Sequence, residues 1–123
     1  MRAKDHTGLL GEHRAAEYLE QNGHHILERR WRTRTGELDL ITMDDQQLVA
    51  VEVKTRHGLS YGHPFEHIND AKLRRIQRLL SEYAATHQMW PVSRRIDAVS
   101  VILECSTSSA RPRAVIDHLK DLP

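Results

Sequence analysis

The chain has 123 residues, of which 39% are hydrophobic and 28% are charged, and its formal net charge is +1. This length suits one domain with one core, and no apolar run is long enough for a membrane span. The N-terminal residues lack the apolar segment of a signal peptide, and Cys105 is the single cysteine, so no internal disulfide can form. We therefore expect one domain over residues 1–123, located in the cytoplasm and away from membranes.

The first predicted element is an amphipathic helix over residues 7–22, which Gly23 ends as a C-terminal cap. Three apolar residues and one acid share a stripe of this helix: Leu9, Glu12, Ala16 and Leu19. A carboxylate that faces the protein interior needs a partner. Glu12 is therefore either the acid of a structural ion pair or a part of a functional site.

Three strands are predicted next, over residues 24–32, 37–43 and 48–55. A second amphipathic helix runs from the N-cap residue Asn69 to the vicinity of His87. Strands at 95–104 and 114–118 complete the order α-β-β-β-α-β with a small extra strand. Strands two and three are apolar on both faces, and such a sheet needs a helix against each face. The sequence therefore predicts a three-layer α/β domain.

Alternation along strands two and three assigns their apolar residues to two opposite faces of the sheet. One face receives Leu38, Leu40, Val49, Val51 and Val53. The other face receives Ile41, Leu48 and Ala50. Charged residues stand at the strand ends, outside this apolar pattern.

A tight turn centred on residues 45–46 sets the register of strands two and three. In that register Asp39 lies opposite Glu52, and Glu37 lies opposite Lys54. Cross-strand neighbours have Cβ atoms about 4.5–5.5 Å apart, so like charges placed there repel each other. The two acids therefore need either a shared proton or a divalent cation. The alternative is a structural network in which Lys54 pairs with Glu37 and no metal is bound.

The order of these charged residues resembles a known signature. Asp39, a spacer, and then Glu52-Val53-Lys54 is similar to the PD-(D/E)XK nuclease motif. The order of elements also resembles the restriction-endonuclease-like core, which is a three-layer α/β fold with a mixed sheet. More closely, the runs GELDLI, EVKTR and RIDAV resemble the YraN-like family of small bacterial proteins, related to archaeal Holliday-junction resolvases. This resemblance covers residues 11–101.

The resemblance implies a metal-dependent endonuclease that hydrolyses phosphodiester bonds of nucleic acid, with DNA as the expected substrate. It implies that Asp39 and Glu52 bind Mg²⁺ or Mn²⁺, with the Val53 carbonyl as a third ligand. Lys54 corresponds to the catalytic lysine. Glu12 matches the acid that resolvase-like members place beside the metal from their first helix.

The same resemblance implies contacts with nucleic acid beside the metal. Lys72 matches a basic position at the start of the second helix, where we expect a phosphate contact. Most of the 18 cationic residues are Arg, which favours bidentate contacts with phosphates. We expect Arg32, Arg34, Arg56 and Trp31 to hold the nucleic-acid backbone. Because resolvases act as dimers, the resemblance also suggests a homodimer.

Three further hypotheses stay open at this point. The first is a nucleic-acid-binding module that keeps the nuclease fold without cutting, with salt-dependent binding that survives the loss of Lys54. The second is a protein-interaction domain whose charges are structural, without affinity for metal or DNA. The third is a zinc site at His63 and His67, for which Pro64 is unfavourable and no third ligand is obvious.

Overall fold

The structure, a computed structural model, describes residues 3–58, 65, 68–104 and 113–123, and of residues 3–6 it describes the backbone alone. The described elements are α1 (Ala3–Gln21), β1 (His25–Thr33), β2 (Gly36–Asp44), β3 (Gln47–His57), α2 (Asp70–Thr86), β4 (Arg94–Glu104) and β5 (Arg113–Leu119). The predicted order is therefore confirmed. His63 and His67, the histidines of the zinc hypothesis, lie outside the described residues. No helix in the described part of the chain is both long and apolar enough to cross a membrane.

The five strands form one mixed sheet in the order β1-β2-β3-β4-β5. β3 and β4 are parallel, and the other neighbouring strands are antiparallel. The β2–β3 register follows the prediction from Leu40–Val51 to Asp44–Gln47. The turn between these strands places residues 45 and 46 in the left-handed region, with φ values of 47° and 67°.

Two apolar cores lie on opposite faces of the sheet. One core joins α2 to the β3 residues Leu48 and Ala50. The other joins α1 to Val49 and Val51, the β3 residues that alternate with them. Both faces are therefore covered by a helix, which gives the predicted three layers.

Specific residues fix the ends and the position of the helices. Gly23, with a φ of 92°, follows the end of α1, and the His24 amide donates to the Leu19 carbonyl at 2.9 Å. The Asn69 side chain accepts from the backbone amide of Lys72 at 2.9 Å and so caps α2. Gly11 allows close packing of α1 on β3, because a Cβ at this position would overlap the Thr55 side chain.

Leu38 lies on the opposite face from the predicted one. It packs in the core with α2, whereas Leu40 packs in the core with α1. Arg30 stands between the β1 residues that pair with these two leucines, and its φ is 52°. This left-handed conformation interrupts the regular alternation of side chains in β1, beside the two leucines of β2, because extended strands require negative φ. Asp39 lies in β2 at this interruption.

Candidate metal centre

Asp39 lies where β2 and β3 separate. The β2–β3 ladder ends at the Cα pair Leu40–Val51. The predicted direct pairing of Asp39 with Glu52 is therefore not part of the ladder. Instead, Asp39 Oδ2 accepts a hydrogen bond of 2.8 Å from the backbone amide of Val53. In a continued antiparallel ladder that amide would donate to a β2 carbonyl. The side chain of Asp39 therefore replaces a backbone partner, and its carboxylate is fixed between the two strands.

The charge of Glu52 acts strongly on Asp39. Burial raises the pKa of Asp39 to about 7, and the negative charge of Glu52 is the second cause. The charge of Glu12 raises this pKa further, whereas the Val53 amide and the charge of Lys72 lower it. The two acids therefore interact as the sequence predicted, although the ladder does not pair them. A carboxyl group with a pKa near 7 is one whose ionised form lacks sufficient positive charge nearby.

Glu12 approaches the same acids from α1. Its carboxylate is mostly buried and binds Arg30, whose Nε donates to Oε1 at 2.8 Å and to Oε2 at 3.0 Å. This hydrogen bond is the main cause that raises the pKa of Arg30. Arg30 is therefore a residue of the site that the motif did not single out. Its left-handed φ and its contact with Glu12 both become visible only in three dimensions.

Lysines lie beside the acids. Lys72 Nζ is 2.7 Å from Glu52 Oε1, so this lysine contacts a carboxylate, and its predicted contact with a phosphate stays a prediction. Lys54, Lys72 and Glu52 line the same small pocket. Glu37, which the predicted register placed opposite Lys54, accepts a hydrogen bond of 3.2 Å from Arg32 Nε. Glu52 thus has an ammonium group as its direct partner.

The residues predicted to contact nucleic acid have different surroundings. Arg32 and Arg34 are exposed near the β1–β2 turn, and Arg56 is half-buried on β3. Trp31 packs edge-on against Tyr83 with 5.3 Å between the ring centroids. The indole ring therefore belongs to the core beside α2, and a stacking contact with a base stays a prediction.

Asp39, Glu52 and Glu12 offer carboxylate oxygens at this site. Hard divalent cations prefer oxygen ligands, and Mg²⁺ commonly uses one or two carboxylates with water in the remaining positions. Burial and the charge of Glu52 raise the pKa of Asp39 to about 7, so a cation nearby would favour the ionised form of this acid. The chemistry of the site therefore fits Mg²⁺ or Mn²⁺. The Val53 carbonyl stays a predicted ligand, because the contact that the structure contains is made by the Val53 amide.

Comparison with known proteins identifies the family. The profile of a family described as "Uncharacterised protein family UPF0102" matches residues 11–101. The chain belongs to the UPF0102 family. A UPF0102 protein from Arthrobacter sp. (strain FB24) is 44% identical over 120 residues, which is 98% of each chain. Another, from Paenarthrobacter aurescens (strain TC1), is 51% identical over 102 residues, covering 83% of this chain and 84% of the relative.

The family match of this UPF0102 protein includes every residue of the candidate metal centre. Residues 11–101 contain Glu12, Arg30, Asp39, Glu52 and Lys72. A UPF0102 protein of Nocardia farcinica (strain IFM 10152) is 44% identical over 117 residues, or 95% of this chain and 88% of the relative. The YraN-like resemblance found in the sequence is thus confirmed as membership of UPF0102.

Proposed function

We propose that this UPF0102 protein is a metal-dependent endonuclease of the PD-(D/E)XK superfamily that hydrolyses phosphodiester bonds, with DNA as its substrate. The observation that supports this most directly is Asp39, whose pKa is raised to about 7 by burial and by the charge of Glu52. A buried carboxylate in this state gains more from a divalent cation than a compensated one does. An enzyme acting on cellular DNA would work in the cytoplasm, which is the location we propose.

Each acid has a role in this proposal. Asp39 and Glu52 would hold Mg²⁺ or Mn²⁺, which when bound would activate a water molecule and stabilise negative charge on the phosphate. Glu12, held in place by Arg30 at 2.8 and 3.0 Å, would provide a further oxygen. The hydrogen bond from the Val53 amide keeps the Asp39 carboxylate oriented during these events.

The lysines would act on the substrate. Lys54 follows Glu52 by two residues on β3 and would orient the attacking water or stabilise charge that develops on the phosphoryl oxygens. Lys72 now contacts Glu52 at 2.7 Å, and it would move to a phosphate once the charge of Glu52 is balanced. Exposed Arg32 and Arg34 would extend the contact along the nucleic-acid backbone.

A nicking assay tests the proposal. Branched, single-stranded and duplex DNA are incubated with the protein in Mn²⁺, in Mg²⁺ and in a chelator. We expect cleavage that requires the metal, and we expect Asp39→Asn and Lys54→Ala to lower its rate by about 10²-fold or more. Asp45→Asn, in the exposed turn at the other end of β2, is the matched control and should cleave like the wild type. Equal rates for the wild type and Asp39→Asn would contradict the proposal.

A second candidate function has one observation in its favour. Lys72 neutralises Glu52 directly at 2.7 Å without any ion, as expected of a nucleic-acid-binding module that keeps the fold and does not cut. Such a module would bind DNA in a chelator, with an affinity that falls as salt rises and that persists in Lys54→Ala. Binding of this kind, together with no cleavage in either metal, would select this function over the first.

A further inference from the structure

A second group of titratable side chains lies beside the C-terminal turn of α1. His24 precedes β1, Asp97 is in β4 and His118 is in β5. One ligand atom from each, a ring nitrogen or a carboxylate oxygen, lies within 4.8 Å of the other two. The side chains of His24 and Asp97 are 0% exposed and that of His118 is 5% exposed. We call these three residues the histidine cluster; it shares no residue with the candidate metal centre.

We propose that the histidine cluster binds a transition-metal ion, with Zn²⁺ as the expected ion and His24 Nε2, His118 Nε2 and an Asp97 oxygen as ligands. Imidazole nitrogen and carboxylate oxygen are common zinc ligands. Their bonds of about 2.0–2.2 Å place tetrahedral ligand atoms roughly 3.3 Å apart. Atoms already within 4.8 Å reach that spacing through side-chain movement. This proposal does not depend on the nuclease function.

The buried Nε2 atom of His24 is the independent observation that indicates a ligand. Among the described residues it has no hydrogen-bond partner, although its side chain is fully buried. The other ring nitrogen, Nδ1, lies 2.7 Å from Thr42 Oγ1. With the ring proton on Nδ1 and donated to Thr42, Nε2 presents a lone pair to the cluster. Metal-bound histidines commonly have this arrangement, in which the second nitrogen is held by an outer hydrogen bond.

Asp97 is oriented by Arg95 and by the backbone amide of Asp121. Arg95 Nε donates to Asp97 Oδ1 at 2.8 Å, Arg95 Nη2 donates to Oδ2 at 2.9 Å, and the Asp121 amide donates to Oδ1 at 3.0 Å. The same Nη2 donates to Asp44 Oδ2 at 2.8 Å. Two carboxylates and one guanidinium leave one unbalanced negative charge, which either an imidazolium or a metal ion can balance. Asp44 Oδ2, which lies 3.5 Å from His24 Nε2, would supply a fourth ligand atom.

Metal binding requires one proton to move. His118 Nε2 lies 2.8 Å from Asp97 Oδ2, and since the carboxylate accepts, this nitrogen carries the proton. Zn²⁺ would take the position of that proton, which then transfers to Nδ1 of the same ring or to solvent. The hydrogen bonds that Arg95 Nε and the Asp121 amide donate to Asp97 Oδ1 can remain, because they are made to the oxygen that does not contact His118.

Cobalt is the probe for this site, because tetrahedral Co²⁺ absorbs visible light much more strongly than octahedral Co²⁺ with oxygen ligands. The full chain is stripped of metal and titrated as wild type and as Asp39→Asn, which weakens the oxygen site. We expect both to bind one Co²⁺ per chain with tetrahedral absorption, which Zn²⁺ abolishes. His24→Gln and His118→Gln should each lose the absorption. His13→Gln, whose ring is 59% exposed on α1, is the matched control and should keep it.

Two further measurements complete the test. Zn²⁺ at a hundredfold excess over its Kd should raise the Tm of the wild type by roughly 10 °C and leave that of His24→Gln unchanged. The double variant His63→Gln/His67→Gln should keep the tetrahedral absorption, and its loss there would overturn the proposal. Absence of this absorption in the wild type, or equal absorption in His24→Gln, would also overturn it. The Co²⁺ titration of the wild type tests the zinc proposal even if a variant fails to fold. Its result does not depend on the outcome of the nicking assay.

Discussion

Asp39 and Asp97 are acids in strands of the same sheet, yet their pKa values are shifted in opposite directions. Burial raises the pKa of Asp39 to about 7, and the charge of Glu52 adds to this. Burial also acts to raise the pKa of Asp97, but hydrogen bonds from His118 and Arg95 outweigh it and hold that pKa well below its usual range. The difference lies in the neighbours, because one acid faces another acid and the other faces fixed donors.

This contrast indicates what each region lacks. At the candidate metal centre the incompletely balanced group is a carboxylate, and a hard cation such as Mg²⁺ is its natural partner. In the histidine cluster the carboxylate is satisfied by Arg95, whereas the Nε2 atom of His24 makes no hydrogen bond with any described residue and lies 3.5 Å from Asp44 Oδ2. An imidazole nitrogen suits Zn²⁺. The two proposed sites therefore differ in the type of atom that each offers to a ligand.

Removal of Arg95 should produce the largest effect on stability. Arg95→Met leaves Asp97 and Asp44 without their shared cation, and an uncompensated buried charge costs about 3–5 kcal/mol. Urea denaturation at pH 7 in a chelator measures this loss. Arg94→Met is the matched control, because Arg94 is exposed and stacks on Trp90 at 4.8 Å, so its loss should cost less than about 1 kcal/mol. Equal losses for the two variants would show that Asp97 does not depend on Arg95.

Removal of the charge of Asp39 should increase the stability of the fold, whereas removal of Arg95 should decrease it. Because the pKa of about 7 in the folded protein lies above the ordinary value, the folded state binds this proton more tightly, and stability falls as pH rises from about 4 to 7. Asp39→Asn removes this loss and should stabilise the metal-free protein at pH 8 by roughly 1–3 kcal/mol, with little effect at pH 4. Urea denaturation at both pH values measures it, with Asp45→Asn as the control. A destabilised Asp39→Asn at pH 8 would contradict this explanation.

Lys72 balances Glu52 at the candidate metal centre, as Arg95 balances Asp97 in the histidine cluster. The loss of Lys72 should have a smaller effect, and this effect should be on metal binding. Lys72→Gln removes the ammonium group that lies 2.7 Å from Glu52 Oε1. A cation that competes for Glu52 is lost, so Mn²⁺ should bind about 3- to 10-fold more tightly. Calorimetric titration with Mn²⁺ measures the affinity, with Arg75→Gln on the exposed face of α2 as the control. Unchanged or weaker Mn²⁺ binding would show that Lys72 does not compete with a metal ion at the candidate metal centre.

The order of elements and the β2–β3 register could be predicted from sequence because both depend on local patterns. Apolar alternation placed the strands, Gly23 and Asn69 marked the helix ends, and the turn at 45–46 set the register. The charged strand ends also identified Asp39 and Glu52 as interacting acids. These signals lie within a few residues of the features that they determine.

Features that depend on distant residues were not predictable in the same way. Leu38 was assigned to the wrong face because the left-handed Arg30 in the neighbouring strand has no sequence signal. The contact of Arg30 with Glu12 joins β1 to α1. His24, which precedes β1, meets Asp97 of β4 and His118 of β5, which lie far from it in the chain. Spacing along the sequence cannot indicate such contacts, because the tertiary packing of the helices and strands creates them.

The ionisation of Asp39 tests the central claim most directly. Carboxyl NMR of isotopically labelled protein gives its pKa in a chelator and again in saturating Mg²⁺, with Asp39→Asn to assign the signal. We expect an apparent pKa near 7 in the chelator and a decrease of at least one unit when Mg²⁺ binds, because the cation stabilises the ionised carboxylate. An apparent pKa near the ordinary value of about 3.9 in the chelator, or no response to Mg²⁺, would contradict the claim that Asp39 and Glu52 form a metal centre.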